Sequence, residues 1–152
     1  MANPNFSAGY AVFGRTLFFC GQFDEAITNI KKAYRLAPHL HPQLYLEYLH
    51  RSYVNLGRYE EALKVINQYD DLVRIGKLQP WQPPFSRATV YVETGREEEA
   101  RALMAEALKI APMISAELFK KMQPFKNPAD LQRGLDILRK AGVPEKAPTA
   151  VQ

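Results

Sequence analysis

An all-α fold of antiparallel helical hairpins is predicted by three regularities in this chain. Gly21, Gly57 and Gly95 each precede an alanine by five residues, in GQFDEAI, GRYEEAL and GREEEAR. Side chains of fixed character recur around those glycines: Leu17, Tyr53 and Tyr91 four before, Ile30, Ile66 and Met104 nine after, and Ala33, Tyr69 and Ala107 twelve after. Pro38 and Pro112 stand seventeen residues past the first and third glycine. Each unit therefore reads as helix, glycine turn, helix, and stacking such units buries a continuous core.

The first helix is expected from Ser7 to Cys20. Tyr10, Val12, Phe13, Leu17, Phe18 and Phe19 make it apolar nearly all round, with Arg15 its one formal charge. As the first element of an array it should leave one face open, and that face calls for a cover. NPNF just upstream looks like the loop that follows an earlier repeat, which favours a longer array continuing towards the N-terminus; self-association through residues 7–20 is the alternative. In the second helix of each hairpin Ala26, Ala62 and Ala100 let paired helices approach closely, and Ile30, Ile66 and Met104 four residues on extend the apolar stripe. Gly14, His50 and Ala88, seven before the turns, are the room-making positions opposite, with His50 out of character. Phe23 and Tyr59 are expected to pack the hairpin ends, where the third hairpin has Glu97. QPWQPP, between the second and third hairpins, is expected to be extended, because proline pushes its predecessor out of the helical region. After Pro112 a helix over MISAELFKKMQPF and a final one starting at Asn127–Pro128 are predicted; Asn127 is the N-cap, Leu131, Leu135 and Leu138 the apolar face, and Gly142 with Pro144 the stop. Asp130, Gln132, Arg133, Asp136, Arg139 and Lys140 are expected to face water, and residues 143–152 to form a flexible tail.

These positions resemble the tetratricopeptide repeat, whose period of about 34 residues carries small, aromatic and proline positions in this order. The resemblance covers residues 7 to 114, best in SAGYAVFGRTLFFCGQFDEAITNIKKAYRLAP. Repeat two has Arg74 in place of the closing proline, and repeat three has Pro84 and Arg87 where bulky apolar residues usually stand. The resemblance implies a right-handed superhelical array in a single domain, with repeats over 7–40, 43–76 and 81–114 and capping helices over 114–123 and 128–141. PFKNPADLQRGLDILRKAGVPE further resembles the close of bacterial proteins that join class III adenylate or guanylate cyclase domains to such repeats, some relatives carrying a winged-helix DNA-binding domain instead. Any cyclase chemistry would then lie outside these residues.

In such arrays the residues ten, six and two before each turn glycine face the concave groove. Here they are Ala11, Arg15 and Phe19; Glu47, Arg51 and Asn55; and Phe85, Thr89 and Glu93. Arg15 and Arg51 are the pair expected to hold a carboxylate or phosphate, with Phe19, Tyr48 and Phe85 against an apolar neighbour and Glu47, Asn55 and Thr89 completing the lining. The bland alternative pairs the arginines with Glu47 or Glu93. The lysine–asparagine clamp of chaperone-binding relatives is missing, since Ala11, Arg15, Gln82 and Ser86 occupy its positions.

The remaining features point away from chemistry. Twenty basic residues against sixteen acidic ones give a net charge of +4, but the charges are interspersed. Lys31, Lys32, Arg35, Lys120, Lys121 and Lys126 lack interleaved aromatics for stacking bases, so nucleic acid is not expected as a partner. One cysteine, Cys20, precludes an internal disulfide and a thiolate zinc site, and suggests a reducing, cytoplasmic setting. His39, His41 and His50 lack the spacing of a metal site. No charge-free run approaches the roughly 18 to 20 residues that cross a bilayer. Glu97, Glu98 and Glu99 are explained by the positive end of a helix. No catalytic set and no cofactor are expected. The sequence reads as a non-enzymatic module that binds a protein or peptide.

Overall fold

The computed structural model describes residues 4–149. All regular structure among them is helical: α1 (Pro4–Phe19), α2 (Phe23–Leu36), α3 (Pro42–Asn55), α4 (Tyr59–Arg74), α5 (Gln82–Glu93), α6 (Glu97–Ile110), α7 (Ala116–Met122) and α8 (Pro128–Lys140). The chain divides into two compact units, one ending at Leu78 and the other starting at Gln79. The first holds the hairpins α1–α2 and α3–α4, and α3 packs on both α1 and α2. The second holds the hairpin α5–α6, with α8 against α5 and α7 against α8.

Turn chemistry explains where the helices end. Gly21, Gly57 and Gly95 have φ of 78°, 71° and 78°, the left-handed conformation that a side chain disfavours. The amide after each glycine reaches back to a carbonyl five residues earlier: Gln22 to Leu17 at 2.9 Å, Arg58 to Tyr53 at 2.8 Å, and Arg96 to Tyr91 at 2.8 Å. Orphan carbonyls at the helix end are thereby satisfied. α2 and α6 stop instead at the prolines expected. α4, which lacks that proline, is closed by Gly76 with the same backbone pattern, Lys77 donating to Leu72 at 2.8 Å. In two turns a side-chain clasp is added: Arg58 lies over the Tyr53 ring and pairs with Glu61, and Arg96 lies over Tyr91 and pairs with Glu99. Hydrogen bonding within each pair holds the arginine pKa up and the glutamate pKa down.

The hairpins close through small residues. Ala26, Ala62 and Ala100 are fully buried, as are Ile30, Ile66 and Met104 one turn on. A Cβ at Gly14 would stand 2.7 Å from Ile30 Cδ1 and 3.2 Å from the Ile30 backbone nitrogen, so α1 and α2 touch at a point where only hydrogen fits. The matching contact of α3 with α4 is built differently. His50 and Tyr69 occupy the two positions that are Gly14 and Ala33 in the first hairpin and Ala88 and Ala107 in the third. Both are buried, with His50 Nδ1 and Tyr69 Oη 2.8 Å apart and their rings edge to face. The phenol and imidazole satisfy one another where the other hairpins have no polar atom at all. Ser7, also fully buried, ties three helices of the first unit, donating to Ala33 O at 2.9 Å and lying 3.0 Å from Tyr45 Oη.

Several expectations are corrected. α1 begins three residues earlier than expected, so Pro4 to Phe6 are helical rather than loop; Asn3 lies outside the described residues. The QPWQPP segment is not extended throughout, because Gln82, Pro83 and Pro84 form the first turn of α5. A proline there sacrifices only amides that have no intrahelical acceptor, which makes a helix start as suitable as an extended run. Gln82 Oε1 accepts from the Gln79 amide at 2.9 Å and shapes the entry. Asn127 caps α8 as expected, accepting from Ala129 N at 3.0 Å, and Leu135 and Leu138 are buried; Ile137 joins them and Leu131 is only partly covered. The tail is held down at its start: Val143 is buried, and the Pro144 and Glu145 carbonyls accept from the first amides of α7, Ala116 and Glu117, at 2.9 and 3.0 Å. Arg139 donates to Glu145 and pins the strap. Residues 150–152 of the expected tail lie outside the described residues.

Two substitutions test this packing in opposite directions. Ala62→Leu overfills the α3–α4 contact and should lower the unfolding free energy by about 1–3 kcal/mol, read as a lower urea midpoint. Ser52 Oγ is buried with no hydrogen-bond partner among the described residues. Ser52→Ala removes that unmet hydroxyl and should raise stability by roughly 1 kcal/mol; a fall in midpoint would show that the hydroxyl is bonded after all.

Candidate functional site

The surface that α1 and α3 present in the first unit brings Arg15, Phe19, Glu47, Arg51 and Asn55 onto two packed helices, whereas Tyr48, expected to line it, is buried beneath them. Its floor is aromatic. Phe18, fully buried, meets Tyr48, Phe19 and Phe23 edge to face at centroid distances of 5.3, 5.2 and 5.5 Å. Phe19 also meets Tyr48 at 5.9 Å and remains partly accessible. Phe18, not counted among the expected site residues, is thus the ring on which the site is built. Its signal in the sequence was its place within a helix apolar on nearly every side.

Arg51 lies on that floor. Its guanidinium carbon is 4.7 Å from the Phe18 centroid and 5.7 Å from that of Tyr48, and its side chain is only 16% exposed. Nη1 donates to Glu47 Oε1 at 3.1 Å, one helical turn earlier. The stack and the ion pair restrict the guanidinium. Asn55 donates from Nδ2 to the Arg51 carbonyl at 2.9 Å, so that amide hydrogen serves its own helix. Arg15 is exposed and forms no ion pair among the described residues. Burial raises the Tyr48 pKa, with Glu47 adding to it, while the charges of Arg51 and Arg15 pull it down. Both arginines therefore act on the same phenol. Ala11, one turn before Arg15, is buried rather than facing the surface.

The equivalent positions of the second unit are Phe85, Thr89 and Glu93 on α5. Phe85 meets Trp81 edge to face at 5.7 Å and packs on the core of α5, α6 and α8. Thr89 Oγ1 donates to the Ser86 carbonyl at 2.8 Å. Glu93 pairs with Arg133 of α8 across a partly buried contact, beside a shallow cleft that Gln132, Asp136 and Lys140 also line. Arg133 was expected to face water; a partner forty residues away carries no local signal in the sequence.

The three histidines do not gather. His39 and His41 are exposed in the loop before α3, and His50 is inside the first unit. Among the described residues no group of three His, Cys, Asp or Glu side chains is placed to hold a metal ion, and no helix is long and apolar enough to cross a membrane. Burial pushes the His50 pKa from 6.5 down to about 3, with the Arg51 charge acting in the same direction and the Leu46 carbonyl opposing.

Residues 8–40 and 85–112 match the tetratricopeptide repeat family. The first stretch covers most of α1 with all of α2, the second most of α5 with all of α6. The α3–α4 hairpin between them repeats the same turn geometry around its His50–Tyr69 contact. No curated protein is a significant match to the chain, and neither finding bears on the likeness of the C-terminal segment to cyclase-linked arrays.

Protonation of His50 sets a pH signature. The unfolded chain binds its proton near pH 6.5 and the folded chain only near 3, so the contribution is fully favourable above 6.5 and is lost as pH falls towards 3. Unfolding free energy should drop by up to about 1.4 kcal/mol per pH unit in that window. His50→Ala should flatten the profile there whatever it does to stability at neutral pH; equal slopes in both proteins would refute the assignment.

Proposed function

We propose that this chain, which carries tetratricopeptide repeats, is a protein-interaction module that holds an acidic peptide segment against the α1–α3 surface. Repeats of this kind indicate protein–protein interaction, and the reading rests above all on the arrangement of the two arginines. Arg51 is stacked and oriented on Phe18, whereas Arg15 projects into solvent without a carboxylate of its own. A carboxylate or phosphate approaching Tyr48 meets Arg15 first and can then compete with Glu47 for Arg51. Phe19 supplies the apolar contact beside them. Phe85 and Thr89 are proposed for the same use on α5 of the second unit. Binding rather than catalysis is the role, and the likeness of residues 124–145 to cyclase-linked arrays favours a regulatory or scaffolding part of a longer bacterial protein, with its effector chemistry elsewhere.

Peptides of equal length, rich in acidic, neutral or basic residues, provide the test by fluorescence anisotropy at low salt. Acidic peptides should bind best, Arg15→Ala should weaken them by about 5- to 10-fold without moving the melting temperature, and Glu47→Gln should tighten them by removing the internal competitor. Arg51→Ala should lose both binding and stability, since its guanidinium covers Phe18. An Arg15→Ala protein that binds acidic peptides unchanged removes this reading.

A further inference from the structure

The open face of α1 leads to an inference that does not depend on the peptide site. Equivalent residues of α1 and α3 are separated by 36 positions, the spacing of Gly21 and Gly57. On α3, Pro42, Tyr45, Tyr48, Leu49 and Ser52 are all buried. Tyr45 and Tyr48 are covered by the preceding hairpin, through Tyr34 and Ser7 for the first and Phe18 and Phe19 for the second. Their counterparts on α1 are Phe6, Gly9, Val12, Phe13 and Thr16, and every one is exposed. Phe6, Val12 and Phe13 are 64%, 56% and 53% accessible. A surface packed by helices in one hairpin stands open in the other, so the occupant it fits is a helix.

Charge and shape select which helix. Residues 4–14 carry no formal charge; Arg15 follows one position on, and Lys32 Nζ lies 4.2 Å from the Tyr10 ring centroid. Charges on a partner find no counter-charge within this strip, whereas an identical strip meets it apolar face to apolar face. A Cβ built at Gly9 would find no atom within 4 Å, so the stripe has a notch between Phe6 and Phe13. Knob and hole on one helix are self-complementary in antiparallel pairing about a two-fold axis, where Phe13 of each copy enters the Gly9 notch of the other. We propose that α1 is the seam of a symmetric homodimer of this chain. Phe18 is not part of the seam, since it is fully buried beneath Arg51.

Sedimentation equilibrium of the full chain over about 1–200 µM tests this, a range that brackets modest interfaces. The chain should dimerise, and Phe13→Glu should weaken the dimer by about 100-fold or more while its helical circular-dichroism melt stays unchanged. Gly9→Leu fills the notch in open space and should weaken the dimer by about 10-fold with the fold intact. Tighter association of Gly9→Leu would reveal unspecific apolar contact and overturn the two-fold seam. A chain that stays monomeric throughout overturns it too, and leaves the face to a helical hairpin of another polypeptide. Neither variant alters Arg15 or Arg51, so loss of the dimer and loss of peptide binding are read separately.

Discussion

The distance of closest approach between paired helices is the constraint from which the rest of this structure follows. At Gly14 the backbone of α1 comes so near Ile30 that a methyl group would collide, and the alanines at the facing positions of all three hairpins have no accessible surface. Such contact places the aliphatic residues one turn further on in full burial, where dispersion and loss of apolar surface to water act together. The left-handed glycines follow from the same requirement, because two helices that lie this close leave few residues in which to reverse the chain. Apart from the His50–Tyr69 pair, larger side chains lie outside these contacts. Phe18, Phe19, Phe23 and Tyr48 gather in the first unit and form the floor on which Arg51 rests.

The α3–α4 hairpin shows that the constraint concerns volume and hydrogen bonding jointly, not residue size at one position. His50 Nδ1 lies 2.8 Å from Tyr69 Oη and 3.3 Å from the Leu46 carbonyl of its own helix, so polar groups meet where the other hairpins have none. Together they form one internal contact at 2.8 Å, and each accounts for the other's presence. Burial favours the neutral imidazole there, since a proton on His50 would sit among buried groups beside the Arg51 charge.

Local rules made much of this legible in advance. Turn glycines, the prolines closing α2 and α6, the buried alanines and the Asn127 cap each depend on a few neighbouring residues and were readable without coordinates. What escaped depends on distance or on a rule with two outcomes. Pro83 and Pro84 fit an extended run as well as the first turn of a helix, and in the fold the segment enters a helix with contacts between Gln79 and Gln82 and between Trp81 and Phe85. Gly76 closing α4 was hidden because a proline was the expected stop. Arg133 with Glu93, and the Pro144–Glu145 strap on α7, join residues far apart in sequence and leave no periodic trace. In the candidate site, the arginine positions were legible from their offsets to the turn glycines, whereas the ring beneath Arg51 and the buried state of Ala11 were not, because both depend on packing between helices.

The proposed site would divide the work between the two arginines. A guanidinium fixed on aromatic rings gives up little conformational freedom on binding, but it begins partly neutralised by Glu47; one free in solvent has full attraction at a distance and must be immobilised to contribute on contact. Either alone is a poor receptor. In the proposed peptide site the exposed arginine would supply long-range capture and the stacked one direction, and Glu47 would set the threshold an incoming anion has to exceed. On that proposal the exchange of one carboxylate for another at Arg51 leaves the number of ion pairs unchanged, so selectivity would come from what flanks the anion: an acidic group carried on an extended segment with an apolar neighbour for Phe19 would gain a contact that Glu47, held by its own helix, does not provide.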